Sequence, residues 1–168
     1  STTPRYTNFS LWDTYRAKQP LMTIIQAERA GQFVSSMIDI CDRQGDLPVW
    51  HLWGNETNCM VGDPAIPVVA DAIVKGLQGF DHDRAFEAIK QTAATPERGK
   101  QFRHAYGYIP CNLMNESVAF DMEYALADGA AAQAAKALGR EADYQYFTRM
   151  SHSYRTYFDK HTGFIRGV

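Results

Sequence analysis

The chain has 168 residues, a formal net charge of -2, and 45% hydrophobic and 12% aromatic residues. That length and composition suit one globular segment able to bury a core. The near-neutral balance, with Lys and Arg scattered along the chain, gives no electrostatic case for nucleic acid or an anionic membrane. No apolar run approaches the roughly 20 residues of a membrane span.

Ser1 to Tyr6 has none of the marks of a signal peptide, and a start without Met fits a processed chain. The stretch Phe9-Ser10-Leu11-Trp12-Asp13-Thr14-Tyr15-Arg16 follows. Together with Trp50-His51-Leu52-Trp53-Gly54-Asn55-Glu56-Thr57-Asn58 it holds all three tryptophans, each close to a carboxylate. An indole presents a flat apolar face to the C–H side of a sugar ring, and a carboxylate accepts charge-assisted hydrogen bonds from hydroxyls. Tryptophan beside acid therefore suits a carbohydrate pocket. The competing reading is that Trp12, Trp50 and Trp53 are core side chains and the acids cap helices.

Apolar spacing predicts a first helix from Thr23 to Arg43, with Thr23 and Gln26 at capping-box positions and Gln44 to Pro48 ending it. Residues 49–60 read as loop with extended character. A second helix is predicted from Pro64 to Leu77, with Asp63 as N-cap and a buried stripe of Ile66, Val69, Ala70, Ile73 and Leu77. Asp81 caps a third through Ala85, Phe86, Ile89 and Ala93. Thr95 to Pro110 reads as irregular. A fourth spans Ser117 to Leu138, and its small residues from Ala125 to Ala137 imply deep burial. Gly139 ends it. A fifth runs from Glu141 to Phe158, with Tyr144, Phe147, Met150, Tyr154 and Phe158 as core, and His161-Thr162-Gly163 forms a turn. The expected fold is all-α, built from stacked antiparallel helical hairpins. The long connections 44–62 and 94–116 are expected at one end of the stack, where function tends to sit.

Cys41, Cys59 and Cys111 form no Cys-x-x-Cys and are expected to be buried thiols. Asn8, Asn55 and Asn115 stand in Asn-x-Ser/Thr triplets, a pattern frequent by chance. The five histidines show no metal-binding spacing, and His152 is expected to be a satisfied interior residue. Asp13 could accept from two adjacent sugar hydroxyls, pair with Arg16 or cap a turn. Read from the residues alone, Glu56 is the best general-acid candidate, because an acid beside an indole is partly desolvated. Glycosidases usually need two carboxyls. Glu116 is the second candidate, with a charge in the first turn of a helix as its alternative.

The order of motifs adds to this. The stretch Phe9 to Arg16 is followed by Pro20-Leu21, Thr23-Ile24-Ile25-Gln26, Leu47-Pro48, Gly54-Asn55-Glu56-Thr57 and Cys59-Met60-Val61-Gly62. Then come Pro67-Val68-Val69-Ala70-Asp71-Ala72, Gly107-Tyr108-Ile109-Pro110, Glu116-Ser117-Val118, Glu123-Tyr124-Ala125, Phe158-Asp159 and Thr162-Gly163-Phe164-Ile165-Arg166-Gly167. The series resembles glycoside hydrolase family 92, the calcium-dependent, inverting exo-α-mannosidases of bacteria. It differs at Gln19, where the family usually has His, and at Asp63-Pro64, Ala119 and Ala127-Asp128-Gly129. The resemblance implies that residues 1–168 form a single segment, the first part of an (α/α)6 barrel. It places the general acid, the general-base carboxylates and the Ca2+ ligands downstream, so no catalytic or metal-binding residue is expected in this chain. Trp12, Asp13 and Glu56 become the expected substrate-binding residues, with Asp13 holding hydroxyls of a terminal mannose. A mannose-containing glycan and the rest of a parent polypeptide are the implied partners, and a secreted or periplasmic location is implied. The alternative is a self-contained helical module that binds sugar or peptide without catalysis.

Overall fold

The computed structural model describes residues 4–168. The chain is mostly helical. In order it forms β1 (Phe9–Ser10), α1 (Leu11–Thr14), α2 (Lys18–Ile25), α3 (Ala27–Gln44), β2 (Trp50–Leu52), β3 (Asn55–Glu56) and α4 (Ala65–Val74). It continues with α5 (His82–Ala94), α6 (Lys100–Tyr106), α7 (Ser117–Ala137) and α8 (Glu141–Met150). A 3-10 turn (Ser153–Tyr157), β4 (Phe158–Asp159) and β5 (Phe164–Ile165) complete the described part. β1, β2 and β3 make a small antiparallel sheet, and β4 and β5 make a hairpin.

Helices pack in neighbouring pairs: α2 on α3, α4 on α5, α7 on α8, with α4 also lying along α7. The alanine surface of α7 makes this closeness possible. Ala127, Ala131, Ala134 and Ala135 are all buried, and so is the α4 stripe Ile66, Val69, Ala70 and Ile73. Short side chains let helix axes approach, and the apolar area removed from water holds the layers together. Both long connections do meet at one end: Val49, Glu56 and Asn58 of one and Thr95, Glu97 and Arg98 of the other line a common cleft.

Several expected boundaries move, each for a physical reason. The first long helix is two helices broken at Gln26, whose backbone leaves the helical region (φ -147°, ψ 58°). The Thr23 hydroxyl donates back to the carbonyl of Pro20 at 2.7 Å, so no capping box forms. Asp63 does not cap α4, because its carboxylate is drawn into ion pairs with Arg98 and Lys100. The connection from Thr95 contains α6, set between Gly99 and Gly107 in left-handed conformation (φ 89° and 80°). A Cβ at Gly99 would come within 2.5 Å of the Met114 sulfur, so that approach needs glycine. The last helix ends at Met150. Phe147 is buried, but Tyr154 and Phe158, expected in the core, are 41% and 49% exposed. His152 is exposed, not interior. Of the cysteines only Cys41 is buried; Cys59 and Cys111 are exposed.

α6 is anchored by a buried ionic cluster. The Arg103 guanidinium donates to Asp121 Oδ1 and Asp128 Oδ2, both at 2.5 Å, and to the Met150 carbonyl at 2.7 Å. Asp121, fully buried, also accepts from Ser153 Oγ at 3.0 Å and Tyr157 Oη at 2.7 Å. Two carboxylates share one guanidinium. Burial, partly offset by Arg103, raises Asp128 from 3.8 to about 6. The proton on Asp128 is therefore held more tightly in the folded chain. Its contribution to stability is fully present below pH 3.8 and is lost as pH rises through about 6. Asp128→Asn, which cannot ionise, is expected to gain stability relative to the unmodified protein as pH rises across that window. Urea midpoints of both proteins at pH 4 and pH 7 check this; a constant difference would contradict it.

Candidate functional site

The three-stranded sheet brings the two tryptophan-rich stretches together. Phe9 pairs with His51 and Ser10 with Trp50, so α1 starts directly beside β2. Asp13, the third residue of α1, is exposed, and its Oδ2 accepts from Trp50 Nε1 at 3.1 Å. Among the described residues Oδ1 has no such partner. Trp12 is half-buried, and its indole N–H is buried without a hydrogen-bond partner among the described residues.

α1 is clamped to α7. Tyr15 Oη donates to Glu123 Oε2 and Arg16 Nη2 donates to Glu123 Oε1, both at 2.7 Å. The Arg16 guanidinium also lies 4.6 Å from the Tyr15 ring centroid and 5.2 Å from that of Trp12. Burial, and then the hydrogen bond to Glu123, push the Tyr15 hydroxyl well above its ordinary range, which keeps it a donor. The clamp needs Gly62: a Cβ there would stand 2.4 Å from Glu123 Cβ, and its φ is +77°.

Glu56 sits half-buried in β3, one residue past a two-residue turn at Trp53-Gly54. Its Oε1 accepts from the backbone N–H of Trp50, Thr57 and Asn58 at 2.8–2.9 Å, and its Oε2 from that of Val49 at 2.8 Å. A carboxyl group ringed by four donors is arranged to accept hydrogen bonds through both oxygens. Chemically this is an anchor that shapes the loop carrying Trp50. Glu116, the second acid candidate, stands exposed at the start of α7 in left-handed conformation (φ 56°), and its side chain makes no capping bond.

Sequence reasoning singled out Trp12, Asp13 and Glu56; the structure bonds Asp13 and Glu56 to Trp50, and Trp12 precedes Asp13 on α1 with the Arg16 guanidinium over its ring. It missed the partnership of Trp50 with Asp13, which are 37 positions apart. It also missed the ionic floor of the cleft beside Glu56. That cleft, of about 140 Å³, has Asp63 on its wall. Asp63 accepts from the buried Lys100 ammonium at 2.9 Å and from Arg98 at 3.3 Å, while Arg98 also donates to the carbonyls of Met60 and Gly62. No local pattern in the sequence points to these pairs. Among the described residues no group of three or more His, Cys, Asp or Glu is placed to hold a metal ion.

Residues 1–168 match the glycosyl hydrolase family 92 catalytic domain. Among solved structures, the family GH92 α-mannosidase BT3965 from Bacteroides thetaiotaomicron superposes with a TM-score of 0.94 at 44% identity, over 97% of this chain and 22% of that one. It has been solved alone and in complex with mannoimidazole. The family GH92 inverting mannosidase BT2199 from Bacteroides thetaiotaomicron VPI-5482 superposes with a TM-score of 0.87 at 28% identity, over 96% of this chain and 23% of that one. The chain thus spans less than a quarter of the length of either. No curated protein matches it.

Proposed function

The chain belongs to glycosyl hydrolase family 92, within the catalytic domain, and from that premise we propose that it forms one wall of the mannose pocket in a longer, inverting exo-α-mannosidase. Such an enzyme removes terminal mannose from N-glycans or mannans. Residues 1–168 are its single N-terminal portion of an (α/α)6 barrel, and a secreted or periplasmic location follows from the same reading. The observation that carries the proposal is the Asp13 carboxylate, held by Trp50 Nε1 on one oxygen and exposed beside Trp12.

In this reading Asp13 accepts hydrogen bonds from two adjacent hydroxyls of the terminal mannose. Trp50 fixes the carboxylate's orientation, so little rotational freedom is lost when sugar binds. Glu56 keeps Trp50 in place through the backbone of residues 49–58. The Tyr15-Arg16-Glu123 clamp holds α1, and with it Asp13, against the helical body. The acid that protonates the leaving oxygen and the carboxylate that activates water belong to residues outside 1–168, at the roughly 6.5–9.5 Å spacing inversion requires. Calcium, when bound in such an enzyme, would help hold and distort the sugar ring. The roles proposed for the residues of this chain are positioning and binding, as the family resemblance implies. The isolated 168 residues are accordingly expected to turn over no aryl α-mannoside.

Asp13→Asn in the full-length protein tests the proposal. It is expected to lower kcat/KM for an aryl α-mannoside by at least about 30-fold, or about 2 kcal/mol of transition-state binding. An unchanged kcat/KM would remove Asp13 from the pocket.

A further inference from the structure

The tip of the β2–β3 hairpin is built against local preference. Trp53 and Gly54 both have positive φ (51° and 81°), the mark of a type I′ turn. Asn, Asp or Gly normally fills the first of these positions, because a bulky side chain is strained there. Tryptophan fills it here and is 87% exposed. The tip is also braced. Trp53 N donates to Asn8 Oδ1 at 3.0 Å, and Gln44 Nε2 donates to the Gly54 carbonyl at 3.2 Å. A large indole is thus held away from the other described residues in a conformation that local preference disfavours, with its backbone braced by Asn8 and Gln44.

A groove of about 260 Å³ begins at Gly54, the next residue, and runs between the sheet and α3. Arg5, Asp39, Arg43 and Gln44 line it, and so does His51. The Arg5 guanidinium and Asp39 carboxylate pair at 3.2 Å, so the wall mixes donors and acceptors with little net charge. His51 is only 3% exposed, and neither ring nitrogen has a hydrogen-bond partner among the described residues. Native interiors rarely leave a buried imidazole unsatisfied on both sides, so a polar group from outside the described residues is called for.

We propose that the Trp53 tip and this groove bind a pyranose ring of a neutral glycan, at a position separate from the Trp12–Asp13 corner. The indole face takes the C–H side of the ring. Arg5, Arg43 and Gln44 supply donors and Asp39 an acceptor to its hydroxyls, and a hydroxyl or the water it orders reaches His51. The separation follows from the sheet: Asp13 is bonded at Trp50, the start of β2, whereas Trp53 lies beyond its far end beside Asn8. The proposal rests on the mannosidase reading only in its choice of probe, yeast mannan.

The experiment is affinity electrophoresis of the full-length protein through gels containing mannan, with aryl α-mannoside hydrolysis measured in parallel. Trp53→Asn is the informative variant, since asparagine suits the left-handed position. It is expected to melt at the same temperature or higher, to lose mannan retention by about tenfold, and to hydrolyse the aryl mannoside as before. His51→Phe is expected to weaken retention in the same direction. Asp13→Asn is expected to lose hydrolysis and keep retention. Retention unchanged in Trp53→Asn, retention lost only in Asp13→Asn, or no retention of the unmodified protein would each overturn the proposal. Failure of the mannosidase reading shows separately, as hydrolysis unaffected by Asp13→Asn.

Discussion

Arg103→Met is expected to destabilise the fold by about 3–5 kcal/mol, the effect of leaving buried carboxylates without their counter-charge. Asp121 and Asp128 are 0% and 4% exposed, and both depend on this guanidinium. Methionine fills much of the same volume, so the loss reports charge and hydrogen bonding more than a cavity. The same guanidinium reaches the Met150 carbonyl and Ser153 Oγ, so α6, α7 and the end of α8 loosen together. Urea denaturation at pH 7 measures the loss. Combining Arg103→Met with Asp128→Asn should recover part of it, because one of the two stranded charges is gone. Strict additivity of the two changes would show that Asp128 and Arg103 do not act as a pair.

Glu56→Gln is the second large effect, and it joins stability to the site. The carboxylate holds four backbone N–H groups, of Val49, Trp50, Thr57 and Asn58. An amide offers one acceptor oxygen, and its NH₂ faces donors where an acceptor stood. With charge-assisted bonds worth about 1.5–3 kcal/mol each, a loss of about 3 kcal/mol in local stability is expected. Amide hydrogen exchange should accelerate at those four positions and leave the α7 amides unchanged. If the mannose pocket is as proposed, kcat/KM of the full-length enzyme should fall with it, because Trp50 is what orients Asp13. Unaltered exchange at Val49 and Trp50 would show that the loop does not depend on Glu56.

Much of the helical framework was legible because it is written in short-range pattern. The buried stripe of α4, the Asp81 cap of α5 and the small-residue surface of α7 all appear where periodicity and capping chemistry predict them. The errors have a common cause. Thr23 and Asp63 carry residue types that cap helices, yet each finds a different partner, Pro20 in one case and Lys100 with Arg98 in the other. A short polar side chain bonds whatever lies nearest, and for Asp63 that group is more than 30 positions away. The aromatic stripe from Tyr144 to Phe158 failed for another reason. The helix ends at Met150, and the 3-10 turn that follows rotates Tyr154 and Phe158 outward while Tyr157 turns in.

By itself the sequence determined the helical class, the family and the composition of the corner near Trp12 and Asp13, since each depends on residues close together or on the order of short motifs. Only the tertiary structure decided which groups meet: Trp50 with Asp13, Tyr15 and Arg16 with Glu123 across 108 and 107 positions, and Arg103 with its two carboxylates. Hydrogen bonds and ion pairs act over about 3 Å, and chain separation carries no information about such distances until the backbone has folded.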